Sequence, residues 1–136
     1  MQYMLLIYDS EAEAQKRSDA ELGGMHQEYM EFTQGIARSG HLKAGDALER
    51  TSSATTVRVR NGKTATVDGP FAETKEQLAG YYILDCKDLD EAIEWAAKIP
   101  TACRGGTGGI EIRPMPGLAK LSPPEREPER AGARNA

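Results

Sequence analysis

Four side chains offer proton chemistry at places where a site can be built: His26, Tyr29, Asp46 and Asp68. An imidazole exchanges a proton near neutral pH, a phenol donates a hydrogen bond, and a carboxylate accepts one or acts as a base. Together they make a metal-free general acid–base set. Tyr29 falls on the apolar stripe of an expected helix, where its ring packs and its hydroxyl seeks a polar partner, with Asp46 the carboxylate considered for it. His26 lies roughly 90° from the centre of that stripe, at its flank, where an imidazole is either plain surface or the proton carrier of a bordering pocket. Asp68 opens the turn Asp68-Gly69-Pro70, in which a carboxylate accepts local backbone N–H groups. The competing reading puts Asp68 in a pocket as base or acceptor, with Phe71 beside it as a ligand-binding wall. His41, next to Gly40 at the helix end, suits the negative end of the helix dipole and reads as structural.

Other chemistries find little footing. Two histidines separated by 14 residues and two distant cysteines, Cys86 and Cys103, have no recognisable metal-ligand spacing, so no metal is expected. Gly62-Lys63-Thr64 looks like the end of a phosphate loop, but Val57 stands where the loop needs glycine, and Gly105-Gly106-Thr107-Gly108-Gly109 lacks the dinucleotide spacing; no cofactor is expected. Neither cysteine has a neighbourhood that would favour a thiolate. A net charge of -4 over 136 residues argues against a binder of nucleic-acid backbone. No apolar run approaches the roughly 18–20 residues of a membrane span, and the opening MQYMLLIY carries no basic leader, so a cytoplasmic chain with reduced cysteines is expected.

The elements that must position these groups alternate in an orderly way. Gln2 to Tyr8 is an almost unbroken apolar run of strand length, predicted to be buried on both faces. Ser18-Asp19-Ala20-Glu21 is a capping box, and Leu22, Met25, Tyr29, Phe32 and Ile36 follow at helical spacing until Ser39-Gly40 stops the helix. Thr55 to Arg60 alternates, Asn61-Gly62 makes a tight turn, and Lys63 to Val67 returns as the second arm of a hairpin. After a loop from Asp68 to Ala79 comes a strand at Tyr81 to Cys86. Asp88 and Glu91 then cap a second helix with Leu89, Ala92, Ile93 and Ala96 on one face, Pro100 stops it, and Ile110 to Arg113 forms the last strand. Trp95 lies off that face, as half-buried surface or as an anchor for a partner.

This order predicts an α+β domain over residues 1–115, a split βαβ arrangement with two helices on one face of an antiparallel sheet of four or five strands. Residues 116–136 hold four of the seven prolines and no aromatic or β-branched side chain, and are expected to be a disordered tail. The sheet's second face is apolar and has no third layer to cover it, so a homodimer packed face to face is the economical arrangement.

The stretch from Asp68-Gly69-Pro70-Phe71 through Gly80-Tyr81-Tyr82 closely resembles the DGPF-motif branch of the YCII-related domain family. The TTVRVRNGKTATV hairpin, the opening YMLLIY, Gly40-His41-Leu42 and Leu89-Asp90-Glu91-Ala92 fit it in the same order, so the resemblance spans residues 1–115. It implies a ferredoxin-like, dimeric α/β-barrel. It also implies a small-molecule enzyme with a helix histidine and a nearby aspartate as acid–base pair, in a pocket between helix and sheet. The position resembling that histidine is Tyr29, with His26 one turn earlier. The branch's frequent neighbourhood with extracytoplasmic-function sigma factors makes such a factor the partner of the alternative reading, a non-catalytic ligand-binding or regulatory module.

Overall fold

A computed structural model describes residues 1–104 and 106–118 of the chain, so the expected tail lies outside the described residues from position 119 onward. The opening strand β1 (Gln2–Asp9) is followed by a short helix α1 (Glu11–Ala14), the long helix α2 (Asp19–Arg38) and strand β2 (Leu42–Ala47). A 3-10 turn at Thr51–Ser53 leads to β3 (Thr55–Arg60) and β4 (Lys63–Asp68). Then come β5 (Gln77–Asp85), α3 (Leu89–Ala96), α4 (Pro100–Cys103) and β6 (Gly109–Met115).

Strands β2, β5, β1 and β6 pair in that order, antiparallel throughout, an arrangement compatible with a ferredoxin-like fold. The hairpin differs from expectation. Asn61 (φ 52°) and Gly62 (φ 76°) make the predicted turn, since this tight hairpin needs two positive φ angles. Yet among the described residues β3 and β4 pair only with each other, as a separate two-stranded sheet, and do not extend the main one. Strand β2 fills the fourth place instead. Its sequence LKAGDA has neither alternation nor β-branched residues, so local preference gives no sign of it.

Alternation along β1 buries Tyr3, Leu5 and Ile7 toward the helices and leaves Met4, Leu6 and Tyr8 half-buried on the other face, so among the described residues this strand is covered on one side only. Its partners repeat the pattern: Leu5 faces Tyr82 and Ile112, and Tyr3 faces Leu84. Both helices contribute to the core so formed, α2 through Ile36 and α3 through Ala92 and Ala96.

Helix α2 begins where its capping box requires: the Ser18 hydroxyl accepts from the Glu21 N–H at 3.2 Å and the Glu21 carboxylate accepts from the Ser18 N–H. Such a cap contributes about 1 kcal/mol. In α3 the Asp88 carboxylate accepts from the Glu91 N–H at 2.9 Å, while Glu91 reaches past Asp88 to the Lys87 N–H. The buried face of α3 is rotated from the one predicted. Leu89 and Ile93 stay 48% exposed, and Ala92 and Ala96 meet the sheet. Small side chains let the helix come close, and Trp95 fills the space toward α2, edge-on to Phe32 at 6.2 Å between ring centroids. Pro100, expected to stop α3, lies beyond that helix's C-cap at Ala97 and instead opens α4, as its fixed φ allows at a first helical position.

Candidate functional site

Between α2 and the sheet lies a cavity of about 580 Å³. Its roof is helical arithmetic: Met25, Tyr29 and Thr33 form one row at four-residue spacing, and His26, Met30 and Gln34 form the next. Ile7 of β1, Gly80 and Tyr82 of β5, and Gly45 and Ala47 of β2 make the floor. Two glycines set how closely β2 approaches. A Cβ on Gly45 would stand 2.6 Å from the Tyr82 ring, and one on Gly80 would stand 2.8 Å from the Asp46 carbonyl oxygen.

Two hydroxyl pairs span the space between helix and floor. The Tyr29 hydroxyl bonds the Thr101 hydroxyl at the start of α4, and Thr33 bonds the Tyr82 hydroxyl at 2.7 Å. Burial pushes both phenols above their ordinary pKa, so at neutral pH they remain protonated. Tyr29 is therefore a neutral phenol and not a base, and its O–H is available to an occupant of the cavity only when Thr101 is the donor of their pair. The expected Tyr29–Asp46 pair does not form, because Thr101 takes the phenol.

His26 and Asp46 both border the cavity, and both are exposed. Asp46 pairs with Tyr81 across the β2–β5 ladder, next to the Gly45–Tyr82 pair. Since Tyr82 points to α2, alternation sends the Asp46 and Tyr81 side chains to the opposite face of the sheet. The cavity thus gathers His26 and Tyr29 on its roof, with Asp46 on the edge strand at its margin.

Asp68 and Phe71 do not line it. Asp68 ends β4 on the detached hairpin and is exposed, and Phe71 is 75% exposed with the Arg58 guanidinium 4.9 Å from its ring centroid. Neither takes the pocket place considered for it within a single chain, because the hairpin stands apart from the sheet that floors the cavity. His41 has the structural place expected of it. It is half-buried between Ser39 Oγ, 2.8 Å from Nδ1, and a Glu91 carboxylate oxygen, 3.2 Å from Nε2, with its ring tilted against Trp95.

Three groups in the site are not among the candidates read from the sequence. Asp9, the last residue of β1, borders the cavity while its carboxylate accepts from Arg17 at 3.2 Å and from the Ser10 N–H at 2.9 Å. Thr33 continues the row of Tyr29, and four-residue spacing would have found it. Thr101 reaches Tyr29 across 72 residues, which no local pattern reveals. Among the described residues no three His, Cys, Asp or Glu side chains converge as metal ligands, and no helix is long and apolar enough to cross a membrane.

A family model described as YCII-related domain matches residues 1–116. The chain is also similar to an uncharacterized protein of Rhizobium meliloti (strain 1021), with 37% identity over 122 residues that cover 85% of this chain and 92% of the relative.

Proposed function

The chain belongs to the YCII-related domain family, and from that premise we propose that it is a small-molecule enzyme using general acid–base chemistry in the cavity beneath α2. The observation that carries this reading is one chamber of about 580 Å³ in which an imidazole, His26, and a protonated phenol, Tyr29, share a roof over an apolar floor. The volume suits a small organic ligand, and few polar groups on apolar walls are what such sites use to orient one. His26, with its ring open to solvent, takes or gives the proton. With the Thr101 hydroxyl donating to it, Tyr29 turns its own O–H to the substrate and positions it.

The Asp68-Gly69-Pro70-Phe71 turn supports placement in the DGPF branch. A homodimer is part of the same reading. Its support is the second face of the sheet, where Met4, Leu6, Tyr8 and Ile83 are half-buried, and the hairpin, whose Val57, Val59 and Val67 are each about 60% exposed.

The test is a metabolite panel scored both for thermal stabilisation and for turnover, with wild type, His26→Gln and Tyr29→Phe. A substrate turned over by wild type and slowed at least 100-fold by His26→Gln supports the reading. Equal rates in all three proteins overturn it. Stabilisation without turnover supports the ligand-binding module instead.

A further inference from the structure

The cavity does not end at Tyr29. A smaller recess of about 170 Å³ adjoins it, and Asp9, Met25 and Thr101 are walls of both. The remaining walls of the recess are two arginines, Arg17 and Arg104. They come from distant parts of the chain, Arg17 from the turn before α2 and Arg104 from the C-cap of α4.

Each arginine is held by one carboxylate. Arg17 Nη1 donates to Asp9 at 3.2 Å, and Arg104 donates to Glu28 from Nε at 2.8 Å and from Nη2 to the second oxygen. A guanidinium has five N–H donors. Among the described residues these contacts use one on Arg17 and two on Arg104, so both forks are oriented and both keep donors to spare. The Arg17 side chain is only 24% exposed, which limits competition from water.

An apolar chamber that opens into a recess with two oriented guanidinium groups matches an amphiphilic anion. Taking the chamber as a small-molecule site, we propose that its ligands are small apolar carboxylic acids, with the carboxylate on Arg17 and Arg104 and the apolar body under Met25 and Met30. Charge selects a monoanion. Asp9 and Glu28 already balance the two arginines, and a phosphate dianion would bring two more negative charges beside them. A planar carboxylate also fits the guanidinium fork.

Calorimetric titration of the full chain with octanoate, 4-phenylbutyrate, their primary amides and phenyl phosphate tests this. The acids are expected to bind at least tenfold more tightly than their amides. Arg104→Gln is expected to weaken the acids tenfold or more and the amides far less, with the same outcome for Arg17→Gln. Should Arg17→Gln fail to fold, Arg17→Lys keeps the charge, loses the fork and is expected to be intermediate.

Equal binding of acid and amide, or variants that weaken both alike, overturns the assignment to the arginines and leaves the chamber standing. Tighter binding of phenyl phosphate overturns the choice of carboxylate. If wild type binds neither acids nor amides, this proposal falls, and the metabolite panel decides the chamber reading by itself.

Discussion

Thr33 and Tyr82 hold their hydroxyl oxygens 2.7 Å apart, a bond that ties the middle of α2 to an interior strand of the sheet and closes one wall of the cavity. Removing either partner strands the other in a poorly solvated place. Thr33→Val is expected to destabilise the fold by about 1–3 kcal/mol, and Thr33→Val combined with Tyr82→Phe by less than the sum of the two single changes. Urea denaturation of the four proteins measures the coupling, and strict additivity would show that the bond contributes nothing.

Alkaline pH acts on the same groups. Burial raises the pKa of Tyr29 and Tyr82 in the folded chain, whereas unfolded tyrosines ionise near about 10. Their contribution is therefore complete below about pH 10 and is lost as pH rises through the folded values, because the unfolded state then releases protons that the folded state retains. Absorbance titration should show a late ionisation together with loss of structure, its amplitude reduced by Tyr29→Phe and by Tyr82→Phe. A late phase unchanged in both variants would contradict it.

The acid limb has a different source. The Glu11 carboxylate accepts from the Thr51 N–H at 2.8 Å and from the Thr51 hydroxyl at 2.6 Å, which holds its pKa below the ordinary value. That stabilisation is present above the unfolded value of about 4.3 and is lost as pH falls through the lower folded one. Glu11→Gln should flatten the fall in stability between about pH 5 and pH 3, as followed by thermal melts. A fall as steep as that of wild type would place the acid sensitivity elsewhere.

The two floor glycines should respond unequally to a methyl group. At Gly80 the new Cβ meets backbone, the Asp46 carbonyl oxygen at 2.8 Å, and at Gly45 it meets a side chain, the Tyr82 ring. Gly80→Ala is expected to cost about 1–3 kcal/mol and to loosen the β2–β5 pairing. Gly45→Ala must displace a ring that is buried, bonded to Thr33 and packed on Phe32, so it is expected to cost at least as much and to weaken ligand binding, while leaving the β2–β5 pairing in place. Hydrogen exchange of the β2 amides, with calorimetry, separates the two effects; similar protection of β2 in both variants would refute the distinction.

Association should depend on the second face of the sheet. Leu6 and Ile83 are half-buried there, on adjacent strands. Replacing both with Glu should convert a species of twice the chain mass into one of single mass in sedimentation, with the helical signal kept. A monomeric wild type would remove the proposed dimer.

Much of the fold was legible because its cues are local. Ser18 with Glu21 placed the start of α2, Asn61-Gly62 placed the hairpin turn, and the apolar run at Gln2 placed β1. Strand β2 was not legible because Lys43, Ala44, Gly45 and Asp46 have poor strand preference; pairing with β5 and room beneath Gly45 define it, and both are tertiary. The detachment of the hairpin was hidden for the same reason, since alternation in Thr55–Arg60 reports a strand but not its partner. Within the site, Tyr29 was readable from the helical stripe. Its partner Thr101 was not, because a contact made across 72 residues leaves no spacing to detect. Asp68 and Phe71 stood out as a motif, yet a motif records residue types and not where a loop carries them.

The sheet order also constrains how the protein comes into being. β1 is made first, but it lies inside the sheet, with Leu6 opposite Tyr81 on one side and Glu111 on the other. On the ribosome it therefore waits, apolar and unpaired, while more than half of the chain is synthesised. Such long-range pairing slows folding and exposes nascent chains to aggregation. The chamber beneath α2 needs β1, β5 and Thr101 of α4 at once, so no shorter nascent fragment presents it, and its assembly is a late event in the life of each molecule.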